Sequence, residues 1–123
     1  MKYVILIYSN PASREIWDSI PADQRAEGLK VYEALVADLE ESGELIVTEA
    51  LAEPSSAQRV SVEGERTVTT DGPFPEAKEL LAGFFLIDCE SAERATEIAA
   101  RVPEAALGLV ELRPVRELED FLT

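Results

Sequence analysis

Six apolar, β-rich residues run without a break from Tyr3 to Tyr8. So unbroken a run predicts a central strand covered on both faces rather than an edge strand with one wet side. Asn10-Pro11 ends it, and a weakly signalled helical turn around Ser13 to Ser19 follows. Pro21 suits the first position of a helix, after which Ala26, Leu29, Tyr32, Leu35, Val36 and Leu39 recur at spacings of three and four. Lys30, Glu33, Glu40 and Glu41 fall largely on the opposite side, and Gly43 supplies a stop, so the helix is expected over about residues 21–42.

Glu44 to Leu51 reads as a second strand and Ala52 to Ala57 as a loop broken by Pro54. Arg59 to Glu63 and Glu65 to Thr70 alternate in polarity around Gly64, as the arms of a hairpin do. Leu80 to Cys89 is the strongest later strand. Ser91 can cap a second helix whose narrow stripe is Ala92, Ala95, Ile98, Ala99 and Val102, ending before Pro103. A last strand spans Leu109 to Arg113, and an acidic tail runs from Pro114 to Thr123.

The order strand, helix, strand, hairpin, strand, helix, strand predicts a ferredoxin-like α+β sheet with two helices on one face plus a hairpin, within one domain of 123 residues. Period-two alternation then splits the first strand into Val4, Leu6 and Tyr8 on one side and Tyr3, Ile5 and Ile7 on the other. The later strand splits likewise, with Phe84 and Leu86 against Phe85 and Ile87. Two helices shelter only one of these sets. A wet second set would forfeit about 1.5–3 kcal/mol per large side chain in a domain whose net stability is about 5–15 kcal/mol. Two covers are open: the same face of a second copy, giving a two-fold dimer, or the C-terminal tail folded back across the sheet.

Charge narrows the partners. Asp and Glu outnumber Lys and Arg by 25 to 11, a net charge of −14. No cluster of basic residues exists for nucleic acid or an anionic membrane, so neither is expected as a partner. The first apolar run is too short for a signal peptide and no window suits a bilayer span, which points to a cytoplasmic protein. Cys89, the only cysteine, reads as a small buried residue. With no histidine in the chain, acid–base work falls to carboxylate, lysine, tyrosine or water, and only oxygen ligands remain for a metal. Neither a metal nor a cofactor is expected.

In the segment TTDGPFPEAKELLAGFFLID, Asp71 can accept backbone hydrogen bonds, Gly72 tolerates unusual backbone angles, and Pro73 and Pro75 each fix φ and remove a donor. Phe74 is pinned between two stiff links. The motif DGPF, continued as PEAKELLAGFFLID, resembles the signature of the DGPF-domain proteins within the YCII-related family. The resemblance extends to the opening KYVILIYS, the helix after Pro21 and the Ala-rich helix ending at Val102-Pro103. It implies a ferredoxin-like fold and a dimeric α/β barrel. Many bacterial members are encoded beside extracytoplasmic-function sigma factors, which implies a regulatory partner of that kind. Other YCII branches carry a His-Asp pair that this chain cannot form.

The resemblance marks Asp71, Gly72, Pro73, Phe74, Glu76, Lys78 and Gly83 as motif positions. Asp71 is the candidate catalytic carboxylate, against a simpler role of tying down its own turn. Glu76 and Lys78 could orient a polar ligand or form a plain surface pair, Phe74 is a further ligand candidate, and Tyr3, Tyr8, Phe84 and Phe85 could line a pocket between sheets or belong to the core. Gly72, Pro73, Pro75 and Gly83 are expected to shape the corner. Three functions stay open: a dimeric domain binding an unknown small molecule, a cofactor-independent isomerase, lyase or monooxygenase-like enzyme with Asp71 as base, and an interaction protein for a transcription regulator.

Overall fold

The apolar opening forms β1 (Lys2–Ser9) in the computed structural model, which describes residues 1–72 and 78–122. It is followed by α1 (Pro11–Ser19), α2 (Ala22–Ser42), β2 (Leu45–Ala50), β3 (Gln58–Glu63), β4 (Arg66–Asp71), β5 (Leu80–Asp88), α3 (Ala92–Ala100) and β6 (Val110–Pro114). Short 3-10 turns occupy Pro54–Ser56, Pro103–Leu107 and Leu118–Leu122. Four strands form an antiparallel sheet in the order β2-β5-β1-β6, and β3 pairs only with β4 in a separate two-stranded sheet. This is the α+β, ferredoxin-like arrangement, with the hairpin inserted between the neighbouring strands β2 and β5.

Local signals explain most boundaries. Gly43 ends α2 at φ +79°, donating its N–H to the carbonyls of Glu40 and Leu39, a left-handed stop that a side chain would resist. Ser91 caps α3 by accepting from the Arg94 N–H at 3.1 Å. α1 is longer than the sequence suggested. Ser13 N–H donates to Asn10 Oδ1 at 2.8 Å and Asn10 N–H to Ser13 Oγ at 2.9 Å, while Pro11 fills a first-turn position that needs no donor. Asn10-Pro11, which ends the strand, therefore also starts a helix.

The core lies between the sheet and the two longer-range helices. Tyr3, Ile5 and Ile7 of β1 and Phe85 and Ile87 of β5 meet Leu35 and Leu39 of α2 and Ala95, Ile98 and Ala99 of α3. Leu29, expected on the same stripe, is exposed, as are most residues of the first turns of α2. Glu44 receives a forked pair of bonds from Arg94, at 2.9 Å from Nε and 2.8 Å from Nη2, which clamps the start of α3 to the entry of β2. The guanidinium, aided by the Ser42 hydroxyl, holds the Glu44 carboxyl below the usual range against the opposing effect of burial.

The other face of the sheet carries Val4, Leu6, Tyr8, Phe84 and Leu86, all half-buried and outside the core that α2 and α3 build with the sheet. The tail does not supply that cover. Val115 N–H continues along β1 by donating to the Lys2 carbonyl at 3.0 Å, but Leu118, Phe121 and Leu122 beyond it stand exposed. No helix among the described residues is long and apolar enough to cross a membrane.

Candidate functional site

Register places two rows of side chains on the open face. Glu49, Phe84, Leu6 and Glu111 are successive cross-strand partners over β2, β5, β1 and β6; Val47, Leu86, Val4 and Arg113 form the next row. Directly paired residues share a face, so an apolar floor of two rings' width is flanked by two carboxylates and one guanidinium. Tyr8 stands at the end of this floor and its hydroxyl donates to Glu111 Oε2 at 3.1 Å. Partial burial first, then the Glu111 carboxylate, raises the Tyr8 pKa above that of an ordinary phenol; Arg113 opposes and Glu79 adds to the rise. The hydroxyl is therefore a proton donor at neutral pH.

The same end of the sheet carries the segments that depart from a minimal ferredoxin-like fold. β1 ends there, β2 leaves for the hairpin and β5 begins there. Beside the hairpin base, Leu51, Ala52, Pro54, Ala57, Leu80 and Leu81 help line a notch of about 390 Å³. Leu81 is the cross-strand partner of Tyr8 across a bulge in β5, so notch and floor adjoin. A hollow of about 400 Å³ along Leu29, Tyr32, Val36 and Glu40 lies on α2, away from these groups. There Tyr32 donates a hydrogen bond to Glu104, a tie between α2 and the Pro103–Leu107 turn.

The residues expected from the sequence are dispersed. Tyr8 is on the open face. Phe85, expected among ligand-lining rings, is on the helix side and only 2% exposed, so its neighbour Phe84 is the ring that faces the floor. Asp71 is exposed at the end of β4, where it accepts from Gln58 Nε2 at 3.0 Å across the hairpin. Lys78 is exposed just before β5. Pro73, Phe74, Pro75 and Glu76 lie outside the described residues. Gly72 and Gly83 are both at close approaches: a Cβ on Gly72 would sit 2.9 Å from the carbonyl oxygens of Ala57 and Pro54, and one on Gly83 2.9 Å from that of Glu49.

Glu111 and Arg113 were not foreseen. Their signal is the alternation Val110-Glu111-Leu112-Arg113 in the last strand, where Leu112 packs with the core and the two charged residues take the opposite face. Among the described residues no three carboxylate or thiol groups gather closely enough to hold a metal ion.

The YCII-related domain model matches residues 1–119. The chain belongs to the YCII-related domain family. A similar relative is an uncharacterised protein of Rhizobium meliloti (strain 1021), 32% identical over 117 residues, covering 94% of this chain and 92% of that one. Among solved structures, the YCII-domain chain is similar to the 5-chloro-2-hydroxyhydroquinone dehydrochlorinase of Burkholderia phenoliruptrix AC1100, in complex with 2,5-dihydroxybenzoquinone. That similarity has a TM-score of 0.48 at 14% identity and covers 98% of each chain.

Proposed function

We propose that this YCII-related protein is a dimeric small-molecule-binding domain in which two copies stack their open sheet faces. The ligand lies at the end of the floor, between Tyr8, Glu111 and Arg113. The observation that carries this reading is the apolar row Phe84-Leu6 bounded by Glu49 and Glu111, with the Tyr8 hydroxyl donating to Glu111. Small-molecule sites combine a mostly apolar lining with a few convergent polar groups. A ligand suited to this one has a flat apolar body and a polar edge able to accept from a phenol or guanidinium.

An acid–base reaction at the same place is the second reading, and it rests on Glu111 rather than Asp71. Glu111 is bonded to a phenol at the edge of an apolar floor, whereas Asp71 is exposed and bonded to Gln58. The test is thermal-shift screening of small polar aromatics and aliphatic acids on the purified chain, since a binder raises the melting temperature by mass action. We expect a hit whose shift is lost in Tyr8→Phe and Arg113→Ala. A hit with an unchanged shift in both variants would place the site elsewhere and sink the reading. If turnover accompanies binding, Glu111→Gln should abolish it and Asp71→Asn should not.

A further inference from the structure

We infer that the β3-β4 hairpin is a dimerisation arm, which packs Val60 and Val62 into the notch beside the Tyr8 site of a second copy. The inference rests on the dimer reading above. A two-stranded hairpin with no third layer is marginal in water, and this one is exposed along nearly its whole length. Its two faces differ. Val60 pairs with Thr69 and Val62 with Thr67, so the outer part of one face is β-branched and uncharged, with the Gln58–Asp71 pair at its base, while Arg59, Ser61, Glu63, Arg66, Val68 and Thr70 occupy the other. Val60 and Val62 are 66% and 67% exposed.

The arm is tied down at its base. Gly72 N–H donates to the Ala57 carbonyl at 2.6 Å, and Gln58 bonds Asp71 across the strands. Such a base holds the direction of an arm whose Val60 and Val62 stand exposed.

Area argues for a second copy as the occupant. Four strands about 4.8 Å apart, sharing a run of about five residues at ~3.3 Å each, present a patch on the order of 300 Å², against the ~800 Å² per partner that a stable dimer buries. The sheet face alone falls short. An arm given and an arm received add two further contacts to each copy, and in a two-fold assembly this exchange closes on itself. The notch lined by Leu51, Pro54, Leu80 and Leu81 is apolar, shallow and continuous with the open face through the Tyr8–Leu81 pair. An arm seated there borders the ligand site, which is then enclosed only in the dimer.

Sedimentation of the full chain tests this. Val60→Asp/Val62→Asp should weaken self-association by about 100-fold while leaving the far-ultraviolet dichroism unchanged, the loss expected when central apolar anchors are removed. In parallel, differently tagged chains carrying Val62→Cys and Leu81→Cys are mixed with a short bifunctional thiol reagent; the native Cys89 is buried. A mixed cross-linked dimer supports the arm. A wild-type chain that stays monomeric overturns both the arm and the stacked-sheet dimer. A wild-type dimer whose association is unchanged by the two aspartates, or which yields no mixed cross-link, overturns the arm alone.

Discussion

A single methyl group on Gly72 would press against two carbonyl oxygens at 2.9 Å. Both belong to backbone, Ala57 and Pro54, which cannot swing aside as a side chain would. Gly72→Ala should therefore destabilise the protein by about 1–3 kcal/mol and loosen the hairpin base, with the cost read from urea denaturation and the loosening from faster proteolysis within residues 57–72. A wild-type midpoint and cleavage rate in the variant would show that the corner tolerates the displacement. The sequence had marked Gly72 as a position that only glycine suits, but for its backbone angles; the structure makes the reason a close approach, since among the described residues those at positive φ are Gly43, Gly64 and Gly108. Phe85 is the opposite case. Its type was legible and its direction was not, because alternation separates Phe84 from Phe85 without saying which of them meets the helices.

At the level of elements, α3 is tied to β2 by the Arg94–Glu44 fork, formed between residues fifty positions apart. Because Arg94 lowers the Glu44 pKa in the folded state, this contribution is complete above the unfolded carboxylate value of about 4.3 and disappears as pH falls through the lower folded value. Arg94→Met should thus lower the stability at pH 7. The gap from wild type should narrow as pH falls below about 5, followed by denaturant titration at each pH. A gap that stays constant over that window would mean that lost packing, not charge, is responsible. The fork was not legible, since each partner alone is an ordinary surface residue. The Asn10 cap was legible in principle: Asn10, Pro11 and Ser13 carry the spacing of a reciprocal cap, but the proline was read only as a strand terminator.

For the whole molecule, the outcome turns on the face that carries Val4, Leu6, Tyr8, Phe84 and Leu86. Leu6 sits at its centre, between Phe84 and Glu111. If this face is the seat of dimerisation, Leu6→Glu should convert the dimer to a folded monomer, because a carboxylate in a stacked interface loses its hydration without a partner. Light scattering after size exclusion measures the mass, and retained dichroism shows that the helix-covered core is intact. A Leu6→Glu protein that remains dimeric would move the interface off this face.

The sequence by itself determined the order of elements, the glycine and serine that stop and start helices, and the need to cover two apolar faces with only enough helix for one. These are local or compositional properties, written in periods of two and three to four residues. What only the tertiary structure decided was the pairing. β1 lies between β5 and β6, strands drawn from the far end of the chain, and that register alone sets Glu49, Phe84, Leu6 and Glu111 in one row, with Tyr8 above it. A period of two says that neighbours face apart, but it carries no information about which distant residue lies opposite, so the candidate site had to wait for the sheet to be assembled.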